Sequence, residues 1–106
     1  MNLLIIQARM GSSRLPGKVL KTLAGKTILQ NLVDRMKPSL LVDQLVVATT
    51  TNVEDDAIAA YCEAHQIHCY RGSEWDVLDR YYQAALPFSP DNVIRVTSDC
   101  PLNSLS

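Results

Sequence analysis

Apolar residues follow two alternating rhythms along this chain. Unbroken runs such as Leu3-Leu4-Ile5-Ile6 alternate with stretches whose apolar positions recur every three or four residues. The first rhythm predicts strands buried on both faces, the second amphipathic helices. Strands are expected over 3–8, 44–49, 67–70 and 93–97. Ile28, Leu29, Leu32, Val33 and Met36 predict a first helix, which Pro38 ends. Val53, Ala57, Ile58, Tyr61, Cys62 and His65 predict the buried stripe of a second, opened by Thr51 and Glu54 as a capping box. Ser73 is the expected N-cap of a third helix, lined by Trp75, Leu78, Tyr82 and Ala85 and ended by Pro87. Strands alternating with helices predict an α/β fold of three layers, a parallel sheet with helices on both faces and right-handed crossovers. Ligands in such sheets bind beyond the carboxyl ends of the strands. That edge collects the segment after the first strand, 49–52, 71–73 and 98–101.

With 106 residues and 47% hydrophobic content, the chain can bury the core of one small domain. Its net charge of −1 gives no global basic field for nucleic acid. Positive charge is local instead: Arg9, Arg14, Lys18, Lys21 and Lys26 share one early segment. Cys62, Cys69 and Cys100 form no C-x-x-C pair, so neither a zinc site nor a disulfide framework is expected, and a reducing cytoplasm is the simple reading. The first residues lack a cationic leader, and no apolar run approaches membrane-spanning length.

The segment after the first strand carries the chemistry: Gln7-Ala8-Arg9-Met10-Gly11-Ser12-Ser13-Arg14-Leu15-Pro16-Gly17-Lys18-Val19-Leu20. Glycine and serine let backbone N–H groups turn toward an anion, and Arg and Lys neutralise it. Two familiar phosphate loops are excluded by spacing. Five residues separate Gly11 from Gly17 where the P-loop needs four, and Val19 stands where it needs Ser or Thr. The same gap is too wide for the dinucleotide fingerprint.

The remaining pattern, A-R-x-G-S-x-R-L-P-G-K after a strand, resembles the N-terminal signature of sugar nucleotidyltransferases with a glycosyltransferase-A-like fold. Within them it is most similar to the cytidylyltransferase branch of the spore coat polysaccharide biosynthesis protein F type, related to the acylneuraminate and deoxy-octulosonate cytidylyltransferases. Further blocks resemble that family in order: Val46-Val47-Ala48-Thr49, Glu54-Asp55-Asp56, Arg71-Gly72-Ser73-Glu74, Asp76 to Tyr82, and Arg95 to Leu102. The resemblance implies a Rossmann-like sheet, expected in the order 3-2-1-4, with CTP as nucleotide and Mg²⁺ as cofactor. It also implies a sugar or sugar acid as the acceptor.

The resemblance places Arg14 and Lys18 on the triphosphate, where fixed cations would oppose charge building on the α-phosphorus and departing pyrophosphate. The plainer alternative is a pair of solvated loop charges. Gly11, Ser12 and Ser13 would donate N–H and hydroxyl groups, and Ala8 and Arg9 would border the base, although the Arg9 side chain could equally face solvent. Asp99 matches the family's metal aspartate; otherwise it is a turn residue before Cys100-Pro101. Arg71, Ser73, Asp79 and Arg80 match positions beside the nucleotide pocket, against the reading of Asp79-Arg80 as a surface pair. Glu54, Asp55 and Asp56 read as helix N-terminal charges rather than chemistry. His65 and His68 have no evident partner in the sequence.

Family members continue well beyond Leu102, and Asn103-Ser104 departs from the aliphatic and acidic residues expected there. Residues 1–106 are therefore expected to be the nucleotide-binding part of a truncated nucleotidyltransferase domain. The fourth strand would be an apolar edge, and such an edge invites pairing into a homodimer. The expected function is CMP transfer from CTP to a sugar or sugar acid. The alternative is a truncated nucleotide-binding module without turnover, and an interaction domain without nucleotide ranks last.

Overall fold

The computed structural model describes residues 1–11, 18–23 and 25–97, with the side chains of residues 18 and 23 outside that description. Its main sheet contains β1 (Asn2–Gln7), β4 (Gln44–Thr50), β5 (His68–Gly72) and β6 (Asn92–Thr97) in the order β5-β4-β1-β6. Counting only these strands along the chain, that is the expected 3-2-1-4, and every neighbouring pair is parallel. A further pair, β2 (Thr22–Leu23) and β3 (Lys26–Thr27), forms a small antiparallel ribbon turning through Gly25 at φ +89°. Strands of two residues have no periodicity to read, so this ribbon was not foreseen.

β1 is central, and Leu3, Leu4, Ile5 and Ile6 are all at most 1% exposed. On one face Leu4 and Ile6 pack with Val47, with Leu29, Leu32 and Val33 of α1 (Ile28–Met36) and with Ile58 and Cys62 of α2 (Asp56–Ala64). On the other, Leu3 and Ile5 pack with Val46, Ala48 and Ala84, the last on α3 (Val77–Ala85). Helices on both faces are what make the β1 run continuous rather than alternating. α1 begins as expected, with Thr27 accepting a 2.9 Å hydrogen bond from the Gln30 N–H.

Several local expectations are corrected. Thr51 and Glu54 form no capping box; Asn52 precedes the helical turn Val53–Asp55 and makes no side-chain cap. Instead the Asn52 N–H donates to the Thr50 hydroxyl at 3.1 Å. Of the expected α2 stripe, Ile58 and Cys62 are buried and Tyr61 half-buried, but Val53, Ala57 and His65 are exposed. His65 does have a partner: its ring stacks on Tyr61 at 4.0 Å, and its Nδ1 lies 2.9 Å from the Tyr61 carbonyl oxygen. His68 meets the Phe88 ring edge-on. Cys62 and Cys69, apart in sequence, meet between α2 and β5, where the neighbouring Cys69 thiol and burial push the Cys62 thiol up and the Cys62 thiol draws Cys69 down.

α3 departs furthest. Its N-cap is Asp76, which accepts from the Asp79 N–H at 2.9 Å, while Ser73 accepts from the Trp75 and Asp76 N–H groups before the helix. Its inner face is Arg80 and Ala84, with Tyr81 and Ala85 beside them. Trp75, Leu78 and Tyr82 are 87%, 72% and 63% exposed. Two stripes share this nine-residue helix, and the sequence pattern favours the bulkier one. The sheet selects the slimmer one, because Ala84 beside Val46 and Ala48 allows close approach. Tyr81 then donates its hydroxyl to the Gln7 side chain, and Arg95 of β6 lies 5.2 Å above its ring.

The two faces of α3 and α1 predict different sensitivities. Leu32→Ala should cost about 2–5 kcal/mol in urea unfolding because it opens a buried cavity. Leu78→Ser, on the exposed stripe, should stay within about 0.5 kcal/mol of the parent. A large loss at Leu78 would mean that this face is covered.

Candidate functional site

The loops after β1, β4 and β5 meet at the carboxyl edge of the sheet. The Ala8 N–H donates to the Ala48 carbonyl at 3.0 Å, which carries the sheet one residue past β1 and leaves Ala8 buried. Arg9 then leans toward the loop after β5, where its Nη2 lies 3.1 Å from Glu74 Oε2. Each of these side chains is only 25% exposed, so the Arg9 side chain does not simply face solvent. The Met10 N–H donates to Asp55 Oδ1 at 2.7 Å. At Gly11 a Cβ would come within 2.6 Å of Glu54 Oε1, so this loop runs directly against the acidic turn after β4.

That turn divides its three carboxylates among different tasks. Asp55 is fully buried and receives the Met10 N–H on one oxygen and the Thr50 hydroxyl on the other. Asp56 pairs with Arg71 Nη2 at 2.7 Å. Glu54 is exposed beside Gly11. The reading of all three as helix-dipole charges therefore misses Asp55. A signal was available, because Asp55, Ile58 and Cys62 share one helical face and the latter two are core residues.

Arg71 binds the β4 loop to β5. Its Nε donates to the Thr50 carbonyl and its Nη2 to the Asn52 carbonyl, both at 2.8 Å. Arg80 is not a surface residue. It is fully buried, and its Nη1 donates to the Ser73 carbonyl at 2.6 Å. Its Nε and Nη2 have no hydrogen-bond partner among the described residues, and neither does the buried Thr49 hydroxyl. Burial lowers the Arg80 pKa; nearby Arg9 adds to this, while Tyr81, Asp55 and Glu74 oppose it. Gly72 makes room for the Arg80 stem, since a Cβ there would lie 3.1 Å from Arg80 Cγ and 2.7 Å from the Tyr70 ring. Asp79 sits on the exposed side of α3, its carboxylate receiving a long 3.4 Å contact from Gln83.

The structure thus brings together Ala8, Arg9, Gly11, Arg71, Ser73 and Arg80, and leaves Asp79 outward. Ser12, Ser13, Arg14 and Asp99 lie outside the described residues, as does the side chain of Lys18. Among the described residues no three His, Cys, Asp or Glu side chains converge as a metal site. A cavity of about 150 Å³, lined by Val33, Lys37, Leu45 and His68 among others, lies at the opposite edge of the sheet.

This fold and edge define a doubly wound α/β domain of the ligand-binding kind. The model of the family described as cytidylyltransferase matches residues 3–104. The chain belongs to the cytidylyltransferase family. It is 44% identical over 103 residues to the spore coat polysaccharide biosynthesis protein SpsF of Bacillus subtilis, covering 93% of this chain and 43% of that protein. It is 48% identical over 101 residues to an uncharacterized protein of Methanocaldococcus jannaschii, covering 95% of this chain and 42% of the relative. Among solved structures, a cytidylyltransferase from Leptospira borgpetersenii superposes with a TM-score of 0.86 at 39% identity, covering 95% of this chain and 42% of that one. A CMP:2-keto-3-deoxy-manno-octonic acid synthetase complexed with CTP superposes at 0.71 with 28% identity, covering 92% of this chain and 40% of that one. The chain spans about two-fifths of the length of these curated relatives.

The buried cation gives a direct test. Arg80→Met removes two unpartnered nitrogens together with the Nη1 bond to the Ser73 carbonyl and keeps most of the stem, so the opposing effects should leave its stability in urea within about 1 kcal/mol of the parent. Arg80→Ala should lose about 2–4 kcal/mol through the void left by the stem. A large loss in the Met variant would show that the charge itself is well paired.

Proposed function

We propose that this chain is the nucleotide-binding part of an enzyme that transfers CMP from CTP to a sugar or sugar acid used in surface polysaccharide synthesis. The observation that carries this reading is the family match across residues 3–104 together with the likeness to a synthetase complexed with CTP. In the reaction an acceptor hydroxyl oxygen forms the new bond to the α-phosphorus and gives up its proton to solvent. The bond from that phosphorus to the β-phosphate bridge breaks, and pyrophosphate leaves with the electron pair. Arg14 and Lys18 neutralise the charge that builds there. Gly11, Ser12 and Ser13 supply donors to the phosphates, Ala8 and Arg9 border the base, and Arg71, Ser73 and Arg80 complete the nucleotide side, with Asp79 on the outward face of α3.

Mg²⁺ would be held by Asp99, supplying Lewis-acid polarisation of the phosphate oxygens. This choice rests on the match of Asp99 to the family's metal aspartate, and three carboxylates at the described edge are otherwise engaged. Asp55 is engaged by Met10 and Thr50, Asp56 by Arg71, and Glu74 by Arg9. The compartment that suits this chemistry is the cytoplasm. The free thiols Cys62 and Cys69 suit it, and among the described residues no helix is long and apolar enough to cross a membrane.

A second reading, for residues 1–106 taken by themselves, is nucleotide binding without turnover. Calorimetry with CTP and Mg²⁺ on this chain should show binding that Arg14→Ala and Lys18→Ala each weaken by roughly tenfold or more. Pyrophosphate release with sugar present separates the readings: release supports the transferase, and binding without release supports the module. No CTP binding by the parent would overturn both.

The homodimer is proposed through β6. Among the described residues this strand is at the sheet edge, with Val93 and Ile94 44% and 36% exposed. Light scattering should find a dimer that Ile94→Lys converts to monomer, because charge on an edge strand blocks pairing. A parent that is monomeric at all concentrations refutes this association.

A further inference from the structure

The only fully buried carboxylate among the described residues is Asp55, and it belongs to neither core. Burying a carboxylate is costly unless its oxygens are bound. Here both are, and the donors come from two different loops: the Met10 N–H at 2.7 Å and the Thr50 hydroxyl. The Thr50 oxygen in turn receives the Asn52 N–H at 3.1 Å, so the carboxylate is held by a side chain that is itself held. Met10 is the residue before Gly11, where the loop rich in glycine, serine and cations begins. The neighbouring Glu54 approaches the same stretch from the side, with its Oε1 2.6 Å from where a Cβ of Gly11 would be.

We propose that Asp55 is a positioning residue for the nucleotide, fixing the direction in which the loop leaves β1 by holding the Met10 N–H. It does not touch the nucleotide, and the inference rests on the reading of that loop as the CTP-binding segment. A charged acceptor is suited to the task because its bond to an amide is stronger than that of a neutral one. The bond also removes the Met10 N–H from those the loop could turn toward an anion.

The test compares Asp55→Ala with Ile58→Ala, a buried change in the helix that follows Asp55, which leaves both hydrogen bonds to the carboxylate in place. Two quantities are read in the full chain: hydrogen exchange at the Met10 amide by NMR, and CTP affinity by calorimetry well below each variant's melting temperature. Asp55→Ala should speed Met10 exchange and weaken CTP binding by roughly tenfold or more. Ile58→Ala should lower stability but leave affinity within about twofold. Asp55→Asn, whose amide oxygen still accepts from Met10, should recover most of the affinity. If Asp55→Ala does not fold, Thr50→Val serves in its place, since it frees the other carboxylate oxygen and should speed Met10 exchange. The proposal is overturned if Met10 exchange is unchanged, or if the Asp55 and Ile58 variants weaken CTP binding alike. Failure of the parent to bind CTP would overturn the functional reading, and with it Asp55's role toward nucleotide; the exchange arm alone then judges whether Asp55 holds the loop.

Discussion

Every position at the ligand edge depends on β1 being enclosed on both faces. Leu4 and Ile6 face one helical layer and Leu3 and Ile5 the other, so a shift of one residue would exchange the two cores. That register is costly to lose, and it fixes where Gln7, Ala8 and Arg9 emerge. The neighbouring strands inherit it, with Gln7 opposite Ala48 on one side and Thr97 on the other. The rigid element is apolar, and the polar groups stand at its end.

Beyond that end the loops are joined by charge rather than by apolar contact. Asp55 ties the β1 loop to β4, Arg71 ties β5 to the β4 loop, and Arg9 with Glu74 ties the β1 loop to the one after β5. Side chains that a sequence pattern would offer to a ligand are thus partly occupied in building the site. Arg71 is the clearest case, with two carbonyls and a carboxylate on one guanidinium.

What could be read from the sequence follows from this division. β1 and β4 were legible because burial on two faces leaves a continuous apolar signature, and the strand order because strands alternating with helices restrict the topology. The family was legible because its blocks recur in order along nearly the whole chain. The inner face of α3 was not, because it is built from Ala84, Ala85 and a buried Arg80 while large apolar residues face outward. The role of Asp55 was hidden among three consecutive acids whose fates differ only in three dimensions. Its partners, Met10 and Thr50, are distant or ordinary residues that no spacing rule pairs with it.

The shared guanidinium of Arg71 has a consequence for how this edge can vary. A lysine there is a single point of charge and could not reproduce the planar fork that reaches three partners. Because Thr50 and Asn52 also answer to Asp55 or to one another, altering one member changes the value of the next. Effects of substitution should therefore combine non-additively here, whereas well-separated changes in the two cores simply sum. In evolutionary terms the cores can drift one residue at a time, but the edge changes in company.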